Sequence, residues 1–150
     1  MKPVCIMILS AVLALISTAV GFADTDPVGI IKAVNKDAFI IRNGKTHPAT
    51  PGMKVMKSDL IKTGPGSSVG VIFEDDTVLS MGPKSEFVIE EFIFRPVENK
   101  LSFVARIIRG TLSFLSGQIA KLSPGSVRLE TPSATIGMRG THVLVKVQGN

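Results

Sequence analysis

The feature that most constrains the fold is a succession of short apolar segments, each ended within a few residues by glycine, proline, asparagine or aspartate. Short segments of this kind, rich in Val, Ile and Phe, are typical of β-strands and are too brief for ordinary helices. Between two of them, Asn43-Gly44 predicts a tight hairpin, because both residues tolerate positive φ. One segment, from Ser116 to Leu122, could form a helical turn or two, which Pro124-Gly125 would end.

Apolar and polar residues alternate most cleanly in the last segment of the chain. Three valines occupy every second position there and are interleaved with polar residues: Val143, Val145 and Val147 against His142, Lys146 and Gln148. Such alternation places one face of a strand against a core and the other face in solvent. The sequence therefore predicts an all-β fold with little helix, in which short antiparallel or solenoid-like strands form a rolled or β-helix-like sheet.

The first 23 residues have the composition of a secretory signal peptide. Lys2 precedes an apolar run over residues 4–20, and small residues stand at the −3 and −1 positions of a cleavage site after Ala23. We therefore expect a single mature domain at 24–150 in the periplasm or outside the cell. The alternative is an inner-membrane anchor formed by the same apolar run, since it approaches the roughly 18 residues that can span a bilayer.

Cysteine content and charge exclude several classes of protein. The chain has one cysteine, Cys5, which lies in the predicted signal, so the mature domain would have no disulfide, thiolate metal site or cysteine nucleophile. The net charge of +5 at pH 7 is spread along the chain without a long basic run, and Trp and Tyr are absent. We therefore expect no nucleic-acid partner.

No group of residues in the sequence is typical of catalysis or metal binding. His47 and His142 are far apart and in different contexts, so we expect no metal and no cofactor. The acidic clusters, Glu74-Asp75-Asp76 and Glu90-Glu91, are explained by a turn and a solvated strand. The sequence thus favours a non-enzymatic protein. The alternative is an envelope glycan-binding or glycan-cleaving protein that uses Glu74, Asp75 or Glu90 in a groove.

The stretch "TPSATIGMRGTHVLVKV", from Thr131 to Val147, places two glycines around an arginine just before the last strand. Gly137 and Gly140 either permit a bend at the base of that strand or form a loop that holds an anion. In the second interpretation, Arg139 presents its planar guanidinium to a carboxylate of a partner or to an envelope anion. The residues alone leave both interpretations open.

This stretch resembles the signature that closes the FecR-type domain, a Thr-Pro-x-Ala-x-Ile-Gly-hydrophobic-Arg-Gly-Thr run. The earlier segments "SDLIKTGPGSSVGVIFEDDTVLSMGPKSEFVIEEF" and "RIIRGTLSFLSG" are similar to preceding parts of the same pattern. Two positions depart from it: Ser58 stands where Gly usually precedes Asp59, and Asp76 where Gly usually follows Asp75. Because aspartate tolerates the left-handed region better than most residues, the second turn should survive at some cost.

The resemblance implies an exported β-rich module that recognises other proteins. In the best-known members it is the periplasmic sensor part of an inner-membrane regulator, which couples an outer-membrane iron-siderophore transporter to a cytoplasmic sigma factor. We see no cytoplasmic sigma-binding region ahead of the apolar run. We therefore expect a stand-alone signalling accessory with one or more envelope proteins as partners and no membrane contact after signal cleavage.

The last strand is the expected place for partner binding, because a terminal strand at a sheet edge has unpaired amides and carbonyls. Self-association through this edge is also possible, and Arg139 and Lys146 could instead be charges that prevent aggregation. The candidate partner-binding residues are Arg139, Thr141, His142 and Lys146, and the candidate structural residues of the motif are Thr131, Pro132, Gly137 and Gly140.

Overall fold

The computed structural model describes residues 26–139 and 142–149, which form twelve strands, one short helix and one 3-10 turn. The predicted signal peptide (1–23) and its alternative, an anchor at 4–20, lie outside the described residues, as do Gly140 and Thr141. In chain order the elements are β1 (Gly29–Asn35), β2 (Ala38–Arg42), β3 (Lys45–Pro48), β4 (Lys54–Val55), β5 (Leu60–Thr63), β6 (Ser68–Phe73), β7 (Val78–Met81), β8 (Glu86–Arg95), the 3-10 turn (Pro96–Glu98), β9 (Lys100–Leu115), α1 (Gln118–Leu122), β10 (Val127–Glu130), β11 (Thr135–Gly137) and β12 (His142–Val147).

All twelve strands belong to one sheet, which curls into a half-barrel. Its main path runs β3-β2-β5-β8-β9-β7-β6-β1-β4, and β10, β11 and β12 are attached beside β9. Every pair is antiparallel except β9 with β10. The predicted all-β fold with a rolled sheet is confirmed. So are the helical segment, which contains α1, and the Asn43-Gly44 hairpin, in which both residues have positive φ.

The core lies inside the curl and is built from the inward residues of nearly every strand. Phe103 occupies its centre, with ring centroids 4.9 Å from Phe73, 5.4 Å from Phe92 and 5.3 Å from Phe114. Edge-to-face contacts at these distances add to the stabilisation from burial. Val28 near the start and Met138 near the end of the described chain belong to the same cluster. One continuous hydrophobic core therefore holds the described chain together.

The longest strand, β9, connects the two halves of the curl and bends at Gly110, where φ is +98°. Ser85, in the connection from β7 to β8, packs against this bend. The Thr111 amide donates to Ser85 Oγ (2.9 Å), and the Ser85 amide donates to Thr63 Oγ1 (2.9 Å). Both Ser85 and Thr63 are buried. The corner is therefore fixed by a small polar cluster inside the core, which satisfies buried amides that a bent strand leaves unpaired.

The two positions at which the chain departs from the FecR-type pattern both have left-handed backbones. φ is +69° at Ser58 and +65° at Asp76, so each non-glycine residue occupies the conformation that glycine tolerates best. The expected left-handed turn at Asp76 is thus confirmed, and the same physical reason applies at Ser58.

Replacing Ser58 by glycine is expected to stabilise the protein by about 0.5–1 kcal/mol. The left-handed conformation costs an L-residue about 1–2 kcal/mol, which exceeds the entropy that glycine adds to the unfolded chain. Ser133→Gly is the matched control, because Ser133 is also exposed but has no positive φ, and it should lose stability. Urea denaturation midpoints measure both changes. A lower midpoint for Ser58→Gly would contradict the strain argument.

Candidate interaction surface

The last strand lies at an edge of the sheet. Within the described residues β12 pairs with β9 and with no other strand, so one row of its amides and carbonyls is free. Val143, Val145 and Val147 are half-buried and pack against the core, whereas His142, Leu144 and Lys146 are exposed. The predicted alternation and the predicted edge position are both confirmed. Edge strands of this kind pair readily with extended segments of other proteins.

Truncation of Val145 to alanine is expected to destabilise the protein by roughly 1–3 kcal/mol, because it removes apolar atoms that pack on the core. Lys146→Ala should change stability little, because that side chain points to solvent. Thermal unfolding of the two variants measures whether the Val145 side chain contributes more to stability than the Lys146 side chain. Equal melting temperatures would mean that β12 is held by its backbone pairing alone.

The structure distributes the predicted binding residues along β12 and just before it. His142 Nε2 lies 2.8 Å from Ser113 Oγ on β9, and Lys146 stands opposite Thr111. Arg139 is exposed and makes no hydrogen bond or ion pair with a described residue. Thr141, the fourth predicted binding residue, is outside the described residues. Exposed cations that lack acidic partners are available to an external carboxylate.

The first half of the motif forms the hairpin turn between β10 and β11. Thr131 closes it: its hydroxyl donates to the Ala134 carbonyl (3.0 Å), and the Ala134 amide donates back to the Thr131 hydroxyl (3.0 Å). Pro132 is exposed inside this turn. Gly137 lies in β11 without a positive φ, and a Cβ added there would meet nothing within 4 Å. The described geometry therefore does not require glycine at 137, and Gly140 is not described.

One half of the sheet, here called the β12 side, is formed by β12, the last part of β9, β7, β6, β1 and β4. Its outer face carries a row of exposed and half-buried aliphatic residues. Strand registers align one residue from each of β12, β9, β7, β6, β1 and β4 across the face: His142, Leu115, Val78, Ile72, Ile30 and Lys54. The next row begins with Leu144, whose side chain is 74% exposed, and continues with small residues. This face therefore presents apolar surface with basic groups at both ends.

The other half of the curl is formed by β3, β2, β5, β8, the first part of β9, β10 and β11. Its outer face is different, because ion pairs cover it. Glu86 binds Lys62 (3.0 Å) and Arg109 (2.6 Å). Burial would raise the pKa of Glu86, but the hydrogen bonds and charges of these two partners together hold that pKa below its ordinary value. Stability from this cluster is therefore present above the ordinary glutamate pKa and is lost as the pH falls through the lowered pKa.

A second group of ion pairs on the same face centres on Arg106, which binds Glu90 (2.9 Å) and Glu130 (3.0 Å). Together the two groups pair six charged side chains of that face within the chain. On the β12 side, Arg139 and Lys146 have no acidic partner among the described residues, so their charges are available to another protein.

Two of the three acidic residues weighed as catalytic groups, Asp75 and Glu90, have structural partners. Asp75 is fully buried; it accepts hydrogen bonds from the Thr77 hydroxyl (2.8 Å) and from the Ile119 amide in the first turn of α1 (3.3 Å). Glu90 is bound to Arg106, and Glu74 is exposed beside the same turn as Asp75. Within the described residues no group of three or more His, Cys, Asp and Glu side chains could hold a metal ion.

The sequence analysis missed a second buried carboxylate, Asp59, which forms a bidentate pair with Arg42. Arg42 Nε and Nη2 donate to its two oxygens at 2.8 and 2.7 Å, and the hydrogen bond raises the pKa of Arg42 above its ordinary value. The Met56 amide donates to the same carboxylate (2.8 Å). The only local signal for this role was the turn position of Asp59 after Ser58. Its function is to fix the approach to β5.

A lateral groove of about 840 Å³ lies between the C-terminal end of β12 and the β10–β11 turn. Its apolar lining consists of inward-facing or exposed branched side chains and one proline: Ile108, Pro132, Ile136, Val145 and Val147. The remaining lining residues are polar or glycine, and none is acidic: Arg109, Thr131, Ser133, Lys146, Gln148 and Gly149. The groove adjoins the free edge of β12.

Comparison with known proteins adds one match. The model of the family described as FecR protein matches residues 59–150, more than half of the chain. Nothing among curated proteins or solved structures matches. Members of this family are non-enzymatic signalling regulators and are typically periplasmic. In the part of the chain described by the structure, no helix is long and apolar enough to cross a membrane. The chain belongs to the FecR family.

Proposed function

We propose that this chain is a non-enzymatic periplasmic module that recognises an envelope protein through β12 and acts as an accessory of envelope signalling. The observation that carries the proposal is the state of that strand: one edge is unpaired among the described residues, and its outer side chains are exposed, with Leu144 74% exposed between His142 and Lys146. Such a strand offers backbone hydrogen bonds for affinity and side chains for selection.

The distribution of paired and unpaired charges also supports β12 as the binding surface. Glu86 and Arg106 are held in ion pairs on the other half of the curl, whereas Arg139 and Lys146 have no acidic partner among the described residues. Unsatisfied cations beside exposed aliphatic side chains favour a partner that brings carboxylates and apolar groups together. The partner class we propose is therefore an acidic envelope protein.

The proposed location rests on the family and on the N-terminal sequence. Residues 1–23 have the pattern of a signal peptide, and cleavage would release residues 24–150 into the periplasm. Intact-mass measurement of the exported protein should find a species that begins at Asp24. A protein that retains Met1 and sediments with membranes would establish the anchor at 4–20 instead.

The glycan-binding or glycan-cleaving alternative receives less support. A carboxylate pair for glycoside hydrolysis must face a substrate groove. Asp75 is buried and accepts hydrogen bonds from Thr77 and Ile119, and Glu90 is held by Arg106. The groove beside β12 has no acidic lining residue. These contacts favour a protein-binding module over a glycosidase.

Affinity capture from envelope extracts tests the proposal. Full-length chain and variants with matched melting temperatures would be compared: Arg139→Ala, Lys146→Glu and, as control, Lys45→Glu on β3 at the far end of the main strand order. We expect Lys146→Glu to lower partner recovery by about tenfold, the size of one charge-assisted contact. Lys45→Glu should bind like the native chain. Unchanged recovery with both β12-side variants, or saturable peptidoglycan binding without a protein partner, would refute the proposal.

A further inference from the structure

The lateral groove exists because two strands share one edge of β9 without meeting. β10 pairs with residues 103–106 of β9, and β12 pairs with residues 110–115, so residues 107–109 have no strand beside them on that edge. The register between β8 and β9 shifts at the same place, which marks a bulge. A bulge re-aims the strand that carries it. The two half-sheets therefore diverge here, and the groove opens between them.

Apolar side chains on both sides of the groove are incompletely covered. Val145 and Val147 from β12 and Ile136 from β11 pack against the core but remain half-buried, whereas Val127 and Leu129 on neighbouring β10 are fully buried. Ile108, on the floor of the groove, is 37% exposed. Removing this surface from water would be favourable.

An added strand beside β12 would reach this surface in a definite way. Residues directly opposite each other on paired strands project to the same face. Those opposite Val145 and Val147 would therefore enter the groove, and the residue opposite Lys146 would lie on the outer face beside that ammonium group. The strand geometry thus assigns aliphatic residues to one set of alternate positions and an acidic residue to the other.

Charge decides between two possible occupants. Lys146 lines the groove without an acidic partner among the described residues, Arg109 at the groove is paired with Glu86, no acidic residue lines the groove, and the whole chain carries a net charge of +5. A second copy of the chain would bring like charge to this site, whereas an acidic segment would complement it. The complementarity favours a partner segment over self-association.

We propose that the partner contributes an extended segment of alternating aliphatic and acidic residues, which pairs with the free edge of β12 and fills the lateral groove. This inference rests on the proposed function and names the part of the partner that is recognised. The segment would cover Ile108, Ile136 and Val145 and would place a carboxylate beside Lys146.

A tethered strand tests the inference without a known partner. An alternating Val-Glu segment of about eight residues, joined to the full chain after Asn150 by a flexible Gly-Ser linker, is present at a millimolar effective concentration. We expect amide hydrogen exchange in β12 to slow by about tenfold or more, as for a strand that gains a partner. Exchange in β2 and β3 should not change.

Two control strands separate backbone pairing from charge. A Val-Lys segment of equal length should protect β12 about tenfold less at low salt, and the difference should shrink as salt screens the contact with Lys146. A segment with proline at alternate positions should give no protection, because it lacks the required amides. Equal protection by the Glu and Lys segments would overturn the acidic requirement. No protection by either would overturn pairing with β12.

The groove itself is tested by Ile108→Thr, which lies on β9 rather than on β12 and keeps a β-branched residue in the strand. This variant should weaken the protection given by the Val-Glu segment several-fold. Protection that is unaffected by the variant would overturn insertion into the groove. Concentration-dependent dimerisation of the unmodified chain with protected β12 amides would assign the edge to a second copy and would also overturn the inference.

The outcomes are distinct from those for the proposed function. If Lys146→Glu lowers partner recovery but Ile108→Thr leaves it unchanged, the groove inference fails and the proposed function stands. If the tethered strand protects β12 but no partner is ever recovered, the groove accepts a strand and the proposed function fails.

Discussion

Replacement of Gly110 by alanine is expected to cost about 2–5 kcal/mol of unfolding free energy, a large fraction of the stability of an ordinary domain. A Cβ at this position would lie 2.1 Å from Ser85 Oγ and 2.4 Å from Ser85 Cα. The second contact is to backbone, so rotation of the serine side chain cannot relieve it, and overpacking of this kind costs about 1–3 kcal/mol. The positive φ of +98° adds about 1–2 kcal/mol of strain.

Gly125→Ala separates the two contributions. Gly125 has nearly the same φ, +94°, but a Cβ there would meet nothing within 4 Å. This variant should therefore lose only the strain, about 1–2 kcal/mol. Chemical denaturation monitored by circular dichroism measures both. If the two variants lose equal stability, the contact with Ser85 does not constrain the corner.

The consequence of Gly110→Ala for the site follows from the register. Gly110 stands opposite Val147, the last residue of β12, and Arg109 beside it lines the lateral groove. A corner that shifts to accommodate a methyl group moves the end of β12 and the floor of the groove together. We therefore expect any Gly110→Ala protein that folds at low temperature to lose protection of its β12 amides as well as stability.

Replacement of Asp75 by alanine is expected to cost about 3–5 kcal/mol. It would leave the Thr77 amide, the Thr77 hydroxyl and the Ile119 amide without their acceptor inside the protein. Each buried donor without a partner costs about 1–3 kcal/mol, and the losses are not fully additive. Thermal and urea unfolding measure the change.

Two variants make the Asp75 result specific. Asp75→Asn keeps one acceptor oxygen and should lose about half as much stability, whereas Asp76→Gly alters an exposed neighbour with a φ of +65° and should change stability by less than about 1 kcal/mol. If Asp75→Ala is as stable as the native chain, the carboxylate does not hold α1 against the turn. A functional role for that carboxylate would then need to be reconsidered.

Asp75 also illustrates why the site could only partly be predicted. Its turn position was evident from the sequence, but its contact with the first turn of α1 joins residues 44 positions apart. The pair of Arg42 and Asp59 spans 17 positions, and the bond from Thr111 to Ser85 spans 26. No local pattern specifies which distant donor meets a turn carboxylate or hydroxyl. Such contacts arise only when the sheet order brings the turns together.

The glycines show the same difference between what the sequence pattern indicates and what the fold decides. The motif directed attention to Gly137, which has open space around it, whereas glycines outside the motif, such as Gly110 and Gly117, are tightly enclosed. At Gly117 a Cβ would lie 2.1 Å from the Asp75 carbonyl oxygen. An isolated glycine within an apolar strand pattern, as at Gly110, does signal a bulge or a close backbone approach. That sequence pattern does not indicate which residue approaches the glycine.

The sequence by itself determined most of the β-strands, the Asn43-Gly44 hairpin, the short helix and the inward face of β12, because each depends on residue periodicity or turn chemistry among near neighbours. It also carried the family signature. Only the tertiary structure decided that β10 and β12 share one edge of β9 and leave residues 107–109 uncovered between them. Strand order and edge sharing depend on pairing between distant segments, which the alternation within a single strand does not encode.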